Sequence, residues 1–527
     1  MLSGAIGSGK SLLGRSLAAS EGARVFRTRD VLRRLVPSES ADDRKALQSV
    51  GDRLDFETEH LWVLQEFHQW LAGQSASRMS VVDSVRTLGQ VMAFREEYGA
   101  RVTRVHLSAP VVELESRYAQ RAQPSSGRAY SFAEARANAT EQQIEALGNV
   151  ADLVVDTKRC TPADVLIRTQ SHFGVRPSAG RGYVDVVIGG QYGSEGKGQI
   201  VDFISEEYDL LVRVGGPNAG HSVYRTPRPY VHHHLPSGTL RGSARLLIGP
   251  GAVLGVQTLL KEIRECGVEQ SRLTIDGGAM TISADDLTAE KGLVASIGST
   301  GQGVGAATSR RIMGRGTGIK LARDVPDLAQ FIGNALDVLR ETFASGGRVL
   351  LEGTQGTGLS LFHGSYPHVT SRDTTVMGCL SEAGIPPSRV RRIVMVCRTY
   401  PIRVESPEAG SSGPLREISY QELASRSHID EAELLATEKT STTRRQRRLG
   451  EFEWDNLQRA AFLNAPTDLA ITFADYIDKG NREAHRFEQL SEETINFIQE
   501  VERVTGVPAS LVATGFGERS VIDRRAW

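Results

Sequence analysis

Val184-Asp185-Val186-Val187-Ile188 runs straight into Gly189-Gly190-Gln191-Tyr192-Gly193-Ser194-Glu195-Gly196-Lys197-Gly198, and an apolar stretch begins at Ile200. A β-branched run, a glycine-rich turn and a helix make a phosphate cradle by type. Glycines let backbone N–H groups curl round an anion, the helix start adds its positive dipole end, and lysine neutralises charge. It is not a Walker loop. The residue five before Gly196 is Gln191, and no Ser or Thr follows Lys197.

Outward from this loop the same habit recurs. Short β-like runs at residues 210–214, 246–248, 349–351, 393–396 and 469–473 alternate with helical stretches. So do runs at 81–82, 102–107 and 153–155, with a helical stretch over 111–121. Alternating β and α predicts two P-loop-type α/β domains with mainly parallel central sheets. Between them Phe173-Gly174-Val175-Arg176-Pro177-Ser178-Ala179-Gly180-Arg181-Gly182 shows no apolar period and reads as a linker. The expected division is 1–172, linker 173–182, and 183–527.

Composition narrows the class. Among 527 residues, 62 Lys and Arg face 63 Asp and Glu, a formal charge of −1 that argues against nucleic-acid or polybasic membrane binding. No apolar run approaches the ~18 residues of a spanning helix. Met1-Leu2-Ser3-Gly4 lacks the apolar core of a signal peptide. Cys160, Cys266, Cys379 and Cys397 form no CxxC pair, which excludes a disulfide scaffold and suits a cytoplasmic location.

Near the start, Gly4-Ala5-Ile6-Gly7-Ser8-Gly9-Lys10-Ser11 fits GxxxxGK[ST]. Here Gly4, Gly7, Ser8 and Gly9 cradle phosphate, Lys10 neutralises it and Ser11 holds Mg²⁺. A helix is expected over 12–19, and the strand before Gly4 is either short or begins upstream. Asp83 ends a β-like run and either positions Mg²⁺ or an acceptor group, or is a turn residue. Arg117 and Arg121 share a helix face, as in a phosphate-gripping lid or a solvated basic surface. With Asp83-Ser84-Val85-Arg86, this half resembles a P-loop nucleoside or nucleotide kinase.

Nine ordered blocks in the second half resemble the adenylosuccinate synthetase family. They are Gly193 to Gly198, Asn218-Ala219-Gly220-His221, Leu235-Pro236-Ser237-Gly238, Gly298-Ser299-Thr300-Gly301-Gln302-Gly303-Val304-Gly305, Glu352-Gly353-Thr354-Gln355-Gly356, Tyr366-Pro367-His368-Val369-Thr370-Ser371, Thr442-Thr443-Arg444-Arg445-Gln446-Arg447-Arg448, Val504-Thr505-Gly506-Val507-Pro508 and Ala513-Thr514-Gly515. The resemblance implies phosphorylation of the 6-oxygen of a purine monophosphate, then displacement of phosphate by the amine of aspartate. It assigns catalysis to Lys197, Gln355 and His221, whose acid role calls for a neutral-range pKa. It places the triphosphate on Gly193, Glu195, Gly196, Lys197, Gly198, Asp475, Thr514 and Gly515, and Mg²⁺ on the Gly220 carbonyl. The monophosphate falls to Asn218, Thr300, Gln355, Thr370, Arg403 and Arg445, with Arg315 reaching across a homodimer. Thr442, Thr443 and Arg447 fall on the loop that closes over aspartate. His232-His233-His234 reads as a strand leading into Leu235, not as a metal site, because strand neighbours face opposite ways.

Two departures from the family stand out. The family's loop carries Asp where this chain has Ser194, and that Asp takes the proton from purine N1. A hydroxyl cannot do so unaided, yet a small neutral residue leaves room for a 2-amino group. A phage branch that makes 2-aminoadenylosuccinate from deoxyguanylate shares this replacement, so a guanine-type monophosphate competes with IMP as the expected substrate. The guanine-reading Thr-Lys-x-Asp appears as Thr472-Phe473-Ala474-Asp475. Asp475 can still pair with a base edge and Phe473 can stack, which leaves GTP or ATP as donor. The expected function is therefore a ligase with a kinase-like first half. The alternative is a nucleotide sensor in which one half has lost catalysis.

Overall fold

The computed structural model describes residues 1–38, 43–74, 77, 79–120, 130–137, 139–173, 182–225, 228–315, 318–406, 410–411, 413–440, 444–517 and 520–527. The chain divides into two compact units, Met1–Ser178 and Ala179–Trp527. Residues 174–181 of the expected linker, Arg121, Thr442 and Thr443 lie outside the described residues.

In the first unit, β1 (Leu2–Gly4), β2 (Arg24–Arg27), β3 (Ser80–Asp83), β4 (Val105–Ser108) and β5 (Leu153–Asp156) form a sheet of order β2-β3-β1-β4-β5. Every pairing is parallel. The strands bury apolar residues on their faces: Leu2, Val81, Val82, Val105, Leu107 and Val155 are all buried. Gly9, at φ +100°, opens the helix Lys10–Glu21, which starts two residues earlier than expected and includes Ser11. The stretch after β4 is helical over Val111–Ala119. Strand order changes direction at β1, so the carboxyl ends of β1 and β3, at Gly4 and Asp83, flank the crevice where open α/β sheets bind ligands.

The second unit is built on a ten-stranded sheet. β6 (Tyr183–Gly189) lies near its middle, between Arg348–Glu352 and Val390–Arg398. All neighbours pair in parallel except the last, where Val521–Asp523 runs antiparallel to Ala509–Ala513. Successive residues feed opposite cores, Val186 one and Val187 the other. Both expected folds are thus α/β with parallel sheets. A second, antiparallel sheet, in which Ile402–Ser406 pairs with Arg447–Gly450, was not foreseen. The histidine triplet is strand only through His232, the end of Tyr230–His232. No helix of the described residues is long and apolar enough to cross a membrane.

Candidate active site

The second glycine loop follows β6. Gly196, at φ +85°, opens the helix Lys197–Ile204. Gly193 and Ser194 also take positive φ, +86° and +56°. The loop is organised from within by Glu195, which is fully buried. Its Oε1 accepts the N–H groups of Gln191 (3.1 Å) and Gly193 (2.8 Å), and its Oε2 pairs with Lys197 Nζ at 2.5 Å. Gly356 makes this packing possible, since a Cβ there would lie 2.2 Å from Glu195 Oε1. Glu195 therefore orients the lysine and the loop together, ahead of any phosphate.

His221 begins a two-stranded ribbon with Tyr230–His232. Its Nδ1–H donates to Glu352 at the end of Arg348–Glu352. Glu352 also accepts from the N–H of Ser237 (2.8 Å) and its hydroxyl (2.5 Å), and lies 3.6 Å from Arg213. Burial alone would raise the Glu352 carboxyl, but Arg213 and His221 outweigh it and bring its pKa to about 2. The His221 pKa is lowered to about 4, below the neutral range expected. Burial is the largest cause, Arg213 adds to it, and Glu352 offsets both only in part. The ring is therefore neutral at pH 7, with Nδ1–H fixed and Nε2 as the free nitrogen. The sequence reading quoted Glu352 and Ser237 within family blocks without giving them a role, and did not single out Arg213. The signal was present: a carboxylate ends the fully apolar run Val349-Leu350-Leu351 and can only be buried with partners.

These loops enclose a cavity of about 240 Å³. It gathers Ser194, Asn218, Gly220, His221, Gln355 and Arg403, with Thr300 and Thr370 on its wall. Gln355, at φ +65°, donates from Nε2 to Thr370 Oγ1 at 2.7 Å. Several polar atoms here are buried without a partner: Asn218 Oδ1, Gln355 Oε1, and Arg403 Nε and Nη2. Buried polar groups are normally satisfied. Such a cluster lining one cavity marks a ligand site, and the unpartnered Nε and Nη2 of Arg403, whose Nη1 reaches the His368 carbonyl at 3.5 Å, call for an anion or a sugar hydroxyl. Arg403 is held in place by stacking on the Tyr192 ring, 3.8 Å to the centroid.

Other expected residues do not line this cavity. Arg447 pairs through Nη1 with Glu438 at 3.0 Å, Arg445 N–H donates to Thr440 Oγ1, and Arg315 is exposed. Asp475 pairs with Arg482 through Oδ2 at 2.9 Å, and its Oδ1 is buried without a partner. Thr514 donates to the Ser520 carbonyl, and the Gly515 carbonyl accepts from Gln199. In the first unit Lys10 Nζ donates to the carbonyls of Gly4 (2.6 Å) and Ala5 (3.0 Å), folded over its own loop.

A family model described as adenylosuccinate synthetase matches residues 186–325 and 319–482. The adenylosuccinate synthetase of Methanococcus aeolicus is 35% identical over 350 residues, 64% of this chain and 99% of its own. That of Pyrococcus horikoshii is 34% identical over 349 residues, 64% of this chain and 98% of its own. The chain belongs to the adenylosuccinate synthetase family. The succinoaminodeoxyadenylate synthetase (PurZ) of cyanophage S-2L, solved with dGMP and with dATP as an energy donor, aligns with TM-score 0.55 at 26% identity, over 65% of this chain and 96% of its own. The adenylosuccinate synthetase of Plasmodium falciparum shares the fold, with TM-score 0.57 at 21% identity over 65% of this chain and 100% of its own.

Adenylosuccinate synthetases are C–N ligases of purine biosynthesis that use GTP and Mg²⁺. The Ser194 hydroxyl and the Gly220 carbonyl line the cavity, whereas the lining carboxylate Glu290 accepts from the N–H groups of Gly303, Gly305 and Ala306. That set fits an ion whose other ligands are nucleotide phosphates and water, the usual habit of Mg²⁺.

Proposed function

We propose that the second unit joins L-aspartate to C6 of a guanine-type purine monophosphate such as dGMP or GMP, with IMP the poorer substrate. The carrying observation is Ser194, a small neutral residue at positive φ in the same cavity as His221 and Gln355. A carboxylate there would fill the space beside N1 and C2, whereas the smaller hydroxyl leaves room for a 2-amino group. The order of events follows from the groups present. The γ-phosphoryl of the triphosphate passes to the purine 6-oxygen while the N1 proton passes to a water or phosphate oxygen, with Lys197 and the loop N–H groups facing the developing charge. The amine of aspartate then attacks C6 and the 6-phosphate leaves. His221, fixed by Glu352, presents Nε2 to the migrating group, and a bound phosphoryl anion raises its readiness to hold a proton. Gln355 offers its amide to the same oxygen.

The donor is a purine nucleoside triphosphate, GTP or ATP. Asp475 supports this, since its unpartnered buried Oδ1 can accept an N–H from either base edge. Aspartate is expected on the loop of Thr442, Thr443 and Arg447, and the working form is expected to be a homodimer to which Arg315 contributes. For the first unit we propose phosphoryl transfer to a nucleoside or nucleotide, supported by the glycine loop opening at the crevice beside Asp83. A sensor that has lost catalysis is the competing reading, favoured by the missing carboxylate at Ser194.

Incubating the full chain with aspartate, Mg²⁺, GTP or ATP, and each of IMP, GMP and dGMP, followed by mass spectrometry, separates these readings. A mass gain of the succinyl-amino adduct on GMP or dGMP, well ahead of IMP, is the expected result. Faster turnover of IMP defeats the guanine assignment, and phosphate release indifferent to aspartate defeats the ligase.

A further inference from the structure

Arg398 closes the strand Val390–Arg398 and is fully buried, 0% exposed. Its guanidinium carbon lies 3.9 Å from the centroid of the Phe473 ring. Nη2 donates to Glu438 Oε1 at 2.5 Å and Nη1 to the Ser194 carbonyl at 3.4 Å. Its backbone is clasped by the Gln191 side chain, which accepts from the Arg398 N–H and donates to its carbonyl, each at 3.0 Å. One buried side chain thus touches the phosphate loop, the turn at the donor-base position, and Glu438.

Glu438 carries the contact onward. Its Oε2 accepts from Arg447 Nη1 at 3.0 Å, and its Oε1 from the Tyr476 hydroxyl at 2.7 Å. Its carbonyl takes the Arg447 N–H and the Gln446 side-chain amide. Burial disfavours the carboxylate, but Arg398 and Arg447 overcome it and hold its pKa near about 2. Buried ion pairs seldom add net stability over apolar packing, so this triad calls for another explanation. It is also unsaturated: Arg398 Nε and Arg447 Nε are both buried without partners.

We infer that Arg398 is a positioning residue that couples the donor-nucleotide base site at Phe473 to Arg447 on the amino-acid loop through Glu438, so that donor and aspartate each tighten the other's binding. This rests on the ligase reading above for the roles of Phe473 and Arg447. A base stacked on Phe473 presses the ring against the guanidinium, which holds Glu438, which in turn aims Arg447 at the incoming carboxylate. Coupling of this kind is reciprocal and typically amounts to between about 5- and 150-fold in affinity.

The test uses the full chain, with the apparent KM for aspartate measured at low and at saturating triphosphate in wild type, Arg398→Lys and Phe473→Leu. In parallel, trypsin cleavage after Arg444, Arg445, Arg447 and Arg448 is followed by mass spectrometry with and without a non-hydrolysable triphosphate. In the wild type, the triphosphate is expected to lower the aspartate KM, and to slow cleavage, by at least about fivefold. Arg398→Lys keeps the charge beside Glu438 but loses the planar stack. Phe473→Leu loses the ring but leaves the ion pairs untouched. Both should cut the effect below about twofold, with aspartate KM moving more than kcat. Dependence that persists unchanged in both variants, or is missing in the wild type, overturns the coupling. Should Arg398→Lys fail to fold, Phe473→Leu carries the test. If no purine monophosphate takes up aspartate, the ligase reading falls, while the protease protection still reports whether the two sites are coupled.

Discussion

Glu352 shows how much one carboxylate can decide. It fixes the tautomer of His221, anchors Ser237 and answers the charge of Arg213, so His221 meets its ligand as a neutral imidazole of set orientation. Replacing His221 with Ala should lower kcat for adduct formation by about 10²- to 10⁴-fold, the usual worth of a positioned acid–base group. A loss of less than tenfold would remove it from the chemistry. Ser194→Asp should move the preference from dGMP or GMP toward IMP, read as the ratio of kcat/KM values; an unmoved ratio refutes the space argument. The buried imidazoles also carry a pH signature. His221, His232 and His234 are held neutral, their pKa values lowered to about 4, 3 and 3, with burial the first cause in each. Unfolded, they titrate near about 6.5, so between that pH and about 4 the unfolded chain binds more protons. Stability therefore rises with pH across this window, by at most about 1.4 kcal/mol per pH unit per group. His232 has no partner on either ring nitrogen. His232→Leu should shrink the difference in urea-unfolding free energy between pH 7 and pH 5, and an equal difference would count against this account.

At the scale of elements, what was legible and what was not divide on physical lines. Both glycine loops were plain in the sequence because a strand, a turn needing positive φ and a helix leave a local trace: Gly9 and Gly196 open their helices in left-handed geometry. The parallel strands were equally plain, since burial on both faces turns them into apolar runs such as Val349-Leu350-Leu351. The antiparallel sheet pairing Ile402–Ser406 with Arg447–Gly450 was not, because its strands are short, one of them opens on two arginines, and the paired residues lie more than forty positions apart in the chain. The ion networks of Glu352 and Glu438 were hidden for the same reason, since His221, Ser237 and Arg398 lie far from them in sequence, whereas the Glu195 network is local, made with Gln191, Gly193 and Lys197. Gly356 illustrates a role that composition cannot show. A Cβ there would meet Glu195 Oε1 at 2.2 Å and the Gln191 carbonyl at 2.5 Å, one of them backbone. Gly356→Ala should destabilise the second unit by about 1–3 kcal/mol and weaken triphosphate binding. Gly292→Ala, where nothing lies within 4 Å and the residue sits in the helix Lys291–Ile297, should leave stability unchanged or raise it by about 0.5–1 kcal/mol. Similar thermal shifts in the two variants would show that the close approach at Gly356 carries no weight.

At the scale of the whole molecule, one chain holds two glycine loops in two separately cored units. Each loop has its own lysine: Lys197 is tied to the buried carboxylate of Glu195, and Lys10 donates to the Gly4 and Ala5 carbonyls of its own loop. An amine held by a buried carboxylate is set in place before phosphate arrives. Lys10→Ala is expected to abolish phosphoryl transfer that needs no aspartate and to leave aspartate-dependent phosphate release within about twofold, since the described residues lining the cavity of the second unit all come from that unit. His221→Ala should do the reverse. Isotope-labelled γ-phosphate, followed into nucleotide products and into inorganic phosphate in the two variants, reads both activities in one reaction. Loss of aspartate-dependent release in Lys10→Ala would mean that the loops share a catalytic cycle, and the separation argued from their cores would have to be abandoned.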